Sequence, residues 1–149
     1  METPGVERRI EATPAQLFAV LADGWLYPSW VVGASRMRAV DASWPAAGAQ
    51  LHHSVGNWPM LINDDTTLLE WEPDHRAVLE AKGWPMGQAR VILTADADGS
   101  DAARLTMVED VTRGPGRALL KLLRQALMLK RNAETLRRLA FLAEGHARG

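Results

Sequence analysis

The chain has 149 residues, 47% of them hydrophobic and 23% charged, with a formal net charge of −1 and no cysteine. That length suits one domain able to bury roughly two-thirds of its unfolded surface, and the lack of cysteine excludes disulfides, thiolate catalysis and Cys-based zinc sites. No apolar run approaches the roughly 18 residues of a membrane span, and Met1 to Gly5 has neither the basic nor the apolar stretch of a signal peptide. A cytoplasmic protein without stable membrane insertion is therefore expected.

In chain order, Val6 to Ile10 alternates enough to predict a strand. Thr13-Pro14-Ala15-Gln16 then opens a helix: Thr13 can cap, Pro14 suits the first helical position and Gln16 completes a capping box. Leu17, Phe18, Val20 and Leu21 supply its apolar face, and Asp23-Gly24 ends it. Trp25 to Val32 predicts a short second helix, interrupted near Pro28. From Ala34 to Thr112 turn signals cut the chain into six strands, the clearest being Leu51 to Val55, Thr66 to Trp71, Ala77 to Lys82, Arg90 to Ala95 and Arg104 to Val111. The links are too short for parallel crossovers, so the region reads as an antiparallel meander.

The remainder predicts one helix, starting at Gly114-Pro115 and ending near Gly145. Leu119, Leu122, Ala126, Leu129, Ala133, Leu136, Ala140 and Ala143 follow three-to-four spacing. A helix of roughly 29 residues spans about 43 Å, and seven strands side by side span about 34 Å, so one helix can cross the whole sheet. The expected fold class is α+β, a curved seven-stranded antiparallel sheet around a long C-terminal helix, with two short helices after the first strand. The small alanines in the helix stripe leave room for a pocket beside its backbone.

This order of elements resembles the START/Bet v 1-like (SRPBCC) superfamily, whose helix-grip proteins include bacterial polyketide cyclases and dehydrases and lipid- or metabolite-binding proteins. The likeness is carried by Val6 to Pro14 leading into Leu17 to Leu21, by Tyr27-Pro28-Ser29-Trp30, by Asp64 to Thr67 through Glu72-Pro73, by Arg104 to Glu109, and by Lys130 to Glu134 with Leu136 and Leu139. It covers nearly the whole chain and implies a deep apolar cavity without implying a particular reaction.

Strand parity supplies candidate lining residues, because alternate residues share a face. Leu105, Met107, Glu109 and Val111 form the more apolar face of the last strand. Leu51 and Val55 carry His53 inward and leave His52 outside. Leu69 is paired with Trp71 on the inner face, Leu79 with Ala81, and Val91 with Leu93. On the helix, Leu122, Ala126 and Leu129 face the same space. Trp58 and Trp84 fall in turns at one end of the meander, the expected mouth, with Trp44 at the other; each ring could instead cover its neighbouring proline. Trp30 and Trp71 read as core or cavity wall.

Glu109 and His53 are the two ionisable groups expected to face the pocket. Burial moves both toward the range useful for proton transfer, so they are the candidate acid and base. The alternative is that Glu109 accepts hydrogen bonds from a helix end and His53 caps a turn or stays partly wet. No metal or cofactor site is expected: His52 and His53 split to opposite faces, and Asp64-Asp65 reads as a solvated turn. Gly114-Pro115-Gly116 lacks the following strand of a phosphate-binding unit, and no Gly-x-Ser-x-Gly elbow occurs.

Charge is uneven. Residues 1–112 carry 8 Lys and Arg against 16 Asp and Glu, and residues 113–149 carry 9 against 2. Three functions stay open: binding or carriage of an apolar small molecule (lipid, polyketide or aromatic metabolite), a metal-free cyclase/dehydrase-type enzyme using Glu109 and His53, and an interaction protein using the basic helix. The first is preferred, with an apolar small molecule as partner, no nucleic acid, and a monomer or homodimer as the assembly.

Overall fold

The computed structural model describes residues 5–32, 34–55, 59, 62–82, 88–113 and 121–148. The chain begins with β1 (Gly5–Ile10) and enters α1 (Pro14–Ala22) through the capping box: the Thr13 side chain accepts from the Gln16 amide, and the Gln16 side chain accepts from the Thr13 amide. Such a cap contributes about 1 kcal/mol by satisfying amides that a helix start leaves bare. A single 3₁₀ turn (Gly24–Leu26) leads into α2 (Tyr27–Trp30). Pro28 belongs to the first turn of α2, where its missing amide costs nothing, so it opens this helix and does not interrupt it.

Six strands follow: β2 (Ala34–Val40), β3 (Gln50–Val55), β4 (Ile62–Glu72), β5 (Arg76–Lys82), β6 (Gln88–Ala97) and β7 (Ala103–Arg113). They pair as an antiparallel meander, and β1 joins the free edge of β7, giving the order β1-β7-β6-β5-β4-β3-β2. Register shifts interrupt the β2–β3 pairing twice and the β4–β5 pairing once. Such bulges bend a strand and increase its local twist, which helps the sheet curve.

The bulge in β4 corrects one sequence expectation. Leu68 pairs with Leu79 and Glu70 with Val78, so Leu69 is the inserted residue. Parity therefore breaks there: Asp64, Thr66 and Leu68 are buried on the inner face, Leu69 is only half-buried, and Trp71 turns inward beyond the bulge to meet the Phe18 ring at 5.1 Å. Asp64 is thus a buried strand residue and not part of a solvated turn.

The C-terminal helix α3 covers Lys121–Arg148 and runs through Gly145 without stopping. At 28 residues it spans about 42 Å. It buries Asn132, Thr135, Leu136, Leu139, Ala140 and Ala143, and its main packing is against α1, α2, β1 and β7. The expected stripe departs from this at Ala126 and Ala133, which are exposed, while Leu129 is half-buried. The predicted helix start at Gly114-Pro115, the mouth tryptophans Trp58 and Trp84, and the side chain of Leu122 lie outside the described residues.

Between these layers sits a core built from Ile10, Leu17, Phe18, Leu21, Trp30, Leu51, Leu68, Leu93, Leu105, Leu136 and Leu139. Gly24 holds the 3₁₀ turn against the sheet. A Cβ at this position would lie 2.6 Å from Leu51 Cδ2 and 2.9 Å from Val40 Cγ1, so any larger residue forces those side chains to shift. At the far end of the meander Trp44 donates its indole N–H to the Leu21 carbonyl at 3.2 Å, satisfying a carbonyl near the end of α1.

Candidate functional site

The inner face of the sheet is apolar strand by strand: Leu51 on β3, Leu68 on β4, Ala77 and Leu79 on β5, Val91 and Leu93 on β6, Leu105 and Met107 on β7. Trp30 from α2 is buried against it. Apart from Leu69, the strand residues expected on this face are buried there or, at Val55, Trp71, Ala81 and Val111, half-buried. His53 is buried with them.

Set into this surface is a short chain of polar groups drawn from three elements. The first residue of α2, Tyr27, points its hydroxyl at Thr66 Oγ1 on β4, 2.8 Å away. The same Thr66 oxygen lies 2.9 Å from His53 Nε2 on β3. The Tyr27 ring packs edge-on to Trp30 and at a tilt to the His53 ring, with both pairs of centroids 5.1 Å apart. Tyr27, Thr66 and His53 are 4%, 0% and 2% exposed. The remaining nitrogen, His53 Nδ1, is enclosed without a hydrogen-bond partner.

Burial sets the protonation of both ring residues, because a charge in this setting loses its hydration. It pushes the Tyr27 phenol up to about 12; Glu109 and Asp64 push the same way, while the Thr66 hydrogen bond and Arg131 oppose. The phenol is a permanent donor at neutral pH. Burial pulls the His53 imidazole below its usual value of 6.5 despite the carboxylates of Asp64 and Asp65, so the ring is neutral.

Glu109 is buried on the inner face of β7 as parity predicts, and it is not alone. Arg131 of α3 donates through Nη2 to both of its carboxylate oxygens. The guanidinium is half-exposed and the carboxylate is not, so the pair works as a strap from helix to sheet with its acidic end inside. This is close to the structural alternative for Glu109, with a side chain in mid-helix doing what a helix end was expected to do.

One residue away, on the opposite face of β3, His52 bridges two carboxylates. Its Nδ1 is 2.6 Å from Asp65 Oδ1 and its Nε2 is 2.8 Å from Asp41 Oδ1. Both ring nitrogens must donate to fill that geometry, which requires the imidazolium. The hydrogen bonds to Asp41 and then Asp65 accordingly raise the His52 pKa above 6.5. Arg38 flanks this clamp, 3.7 Å from Asp65, and donates to the Asp64 and His53 carbonyls.

Sequence reasoning missed Tyr27, Thr66 and Asp64 as members of the interior, and Arg131 as the partner of Glu109. The signal for Thr66 and Asp64 was the alternation Asp64-Thr66-Leu68, which the Leu69–Trp71 pairing obscured. Tyr27 carried a different signal, being the chain's one tyrosine at a helix start next to Pro28.

A seven-stranded curved sheet gripping one long helix has relatives. The family model described as polyketide cyclase/dehydrase and lipid transport matches residues 5–144. The chain belongs to this family. Solved structures agree on the fold: a conserved protein of Geobacillus kaustophilus (TM-score 0.72, 9% identity, 95% of this chain and 93% of that one) and protein NE0264 of Nitrosomonas europaea (0.71, 15%, 95% and 94%). Ara h 8.0201 superposes with a TM-score of 0.66 at 14% identity over 95% and 97% of the two chains, a Bet v 1-like match. No curated protein matches the sequence. Among the described residues no helix is long and apolar enough to cross a membrane.

Proposed function

We propose that the protein binds an uncharged, largely apolar small molecule between the sheet and α3. The observation that carries this reading is the composition of the inner face: from β3 to β7 its buried side chains are apolar except for one hydrogen-bonded chain, one ion pair and the Asp64 carboxylate. An apolar surface with a few fixed polar groups is what an orienting small-molecule site requires. Membership of a family described as cyclase/dehydrase and lipid transport supports the same reading.

An acid–base enzyme using Glu109 and His53 has less support. Both Glu109 oxygens are occupied by Arg131, and the free nitrogen of His53 is enclosed. If these two residues did catalyse, Glu109→Gln and His53→Ala would abolish turnover of a polyketide-like substrate while sparing its binding. A docking role for the basic helix also has less support, because Arg137 and Arg138 both donate to Glu134 and Arg131 is committed to Glu109.

Native mass spectrometry of the purified chain tests the binding reading. The expected spectrum contains a complex that releases a small neutral molecule on activation, or that forms when apolar aromatic probes are added. A chain that is always empty and takes up no such probe overturns it.

A further inference from the structure

The interior hydrogen bonds can be counted proton by proton. Thr66 has one hydroxyl proton and stands between Tyr27 at 2.8 Å and His53 Nε2 at 2.9 Å, so it accepts from one and donates to the other. Two arrangements satisfy this. Either His53 carries its proton on Nε2, donates to Thr66, and Thr66 donates to the Tyr27 oxygen; or Tyr27 donates to Thr66, Thr66 donates to Nε2, and the imidazole proton sits on Nδ1.

His53 Nδ1 decides between them. It is enclosed, and no acceptor there meets hydrogen-bond geometry; the Ser54 backbone favours a proton on the ring, but as the smallest of the influences on it. A proton there would be a buried donor with at best that weak Ser54 contact, a rare and costly condition, whereas a bare ring nitrogen is only an under-used acceptor. The first arrangement wins. Its consequence lies at the other end of the chain, where the Tyr27 oxygen already accepts from Thr66 and its own proton is left to give.

We propose that Tyr27 is the polar anchor of the site, donating its hydroxyl proton to a carbonyl oxygen on a neutral ligand, with Thr66 and His53 as positioning residues behind it. This rests on the apolar-ligand reading above and adds the ligand's chemical class: a ketone or ester in preference to a plain hydrocarbon or a carboxylate. Glu109 and Asp64 act on the Tyr27 oxygen with their negative charge. The same field repels an anionic ligand, and Arg131, the cation that opposes it, is already paired with Glu109.

The test uses the whole chain and three probes sharing one ring system: acetylnaphthalene, ethylnaphthalene and naphthoate, substituted at the same carbon. Equilibrium dialysis should show the ketone bound roughly 5- to 20-fold tighter than the hydrocarbon, the span of a hydrogen bond made to an otherwise unpaired donor, with naphthoate weakest. Tyr27→Phe should erase the ketone's advantage, so that acetylnaphthalene and ethylnaphthalene bind the variant equally. A ketone preference that survives in Tyr27→Phe, or that is missing in the wild type while the hydrocarbon binds, overturns this proposal alone. Failure of both neutral probes to bind sinks the apolar-ligand reading and this proposal with it. Should Tyr27→Phe not fold, two wild-type measurements decide. The bound ketone's infrared carbonyl stretch should fall below its value in alkane solvent, and nitrogen NMR should place the His53 proton on Nε2. An unshifted stretch, or a proton on Nδ1, refutes the assignment.

Discussion

Two adjacent histidines on β3 illustrate how far one residue's step along a strand changes its chemistry. His52, clamped between Asp41 and Asp65, holds its proton more tightly in the folded chain than in the unfolded one. Its stabilising contribution is therefore whole below pH 6.5 and is lost as pH climbs through the raised folded value. His53 has the opposite sign: burial lowers its folded pKa, so the unfolded chain binds the extra proton and stability falls as pH drops below 6.5. Urea midpoints measured from about pH 5 to about pH 9 should pass through a maximum; His52→Gln should flatten the alkaline limb and His53→Gln the acid limb. A wild-type profile retained by both variants would refute these assignments. The split between the two faces was legible in sequence because parity needs only one anchored neighbour, here Leu51. The same logic failed at Leu69, since a bulge is a backbone event that no side-chain pattern announced.

The Glu109–Arg131 strap also belongs to the residue scale. Removing the cation leaves a carboxylate buried without its partner, whereas removing the carboxylate leaves a half-exposed guanidinium that water can serve. Arg131→Met should therefore cost more than Glu109→Gln, on the order of 1–3 kcal/mol after allowing for the exposed end. Urea denaturation of both single variants and the double checks it, and equal losses would refute the asymmetry.

At the scale of elements, local signals did well wherever the physics was local. Thr13, Pro14 and Gln16 form their capping box as the spacing predicts, and Thr13→Ala should cost about 1 kcal/mol. Strand existence was equally readable from turn residues, while strand ends were not: β4 begins at Ile62, four residues before the expected Thr66. The end of α3 was misplaced for a related reason. A methyl group on Gly145 would meet nothing within 4 Å, so this glycine answers no crowding and does not stop the helix. Gly24 is the reverse case, a glycine whose importance lies in tertiary contact. Gly24→Ala should destabilise by about 1–3 kcal/mol, because Leu51 and Val40 must move to admit the methyl group. Thermal melts of Gly24→Ala and Gly145→Ala separate the two, and similar melting temperatures would contradict the close approach.

For the molecule as a whole, helix length against sheet width predicted the architecture correctly because both quantities follow from fixed rises and spacings. What it overstated was the coverage. The main contacts of α3 are with β1, β7 and the two short helices, so its N-terminal half cannot be assigned a buried face by periodicity alone. The chain of polar groups in the interior was hidden for a similar reason: Tyr27, His53 and Thr66 meet only after three separate elements have docked.

The pairing of β1 with β7 bears on how the protein is made. Gly5 faces Val108 across the sheet, roughly a hundred residues later in the chain. At synthesis rates of about 5–20 residues per second, the first strand waits on the order of 5–20 s for its partner to be made. Through that interval the nascent chain has an unpaired edge at Gly5–Ile10, and the β7 edge is absent altogether. The sheet can therefore be completed only after β7 has been made, and a ribosome stalled before that point would carry an intermediate open to strand addition from its neighbours.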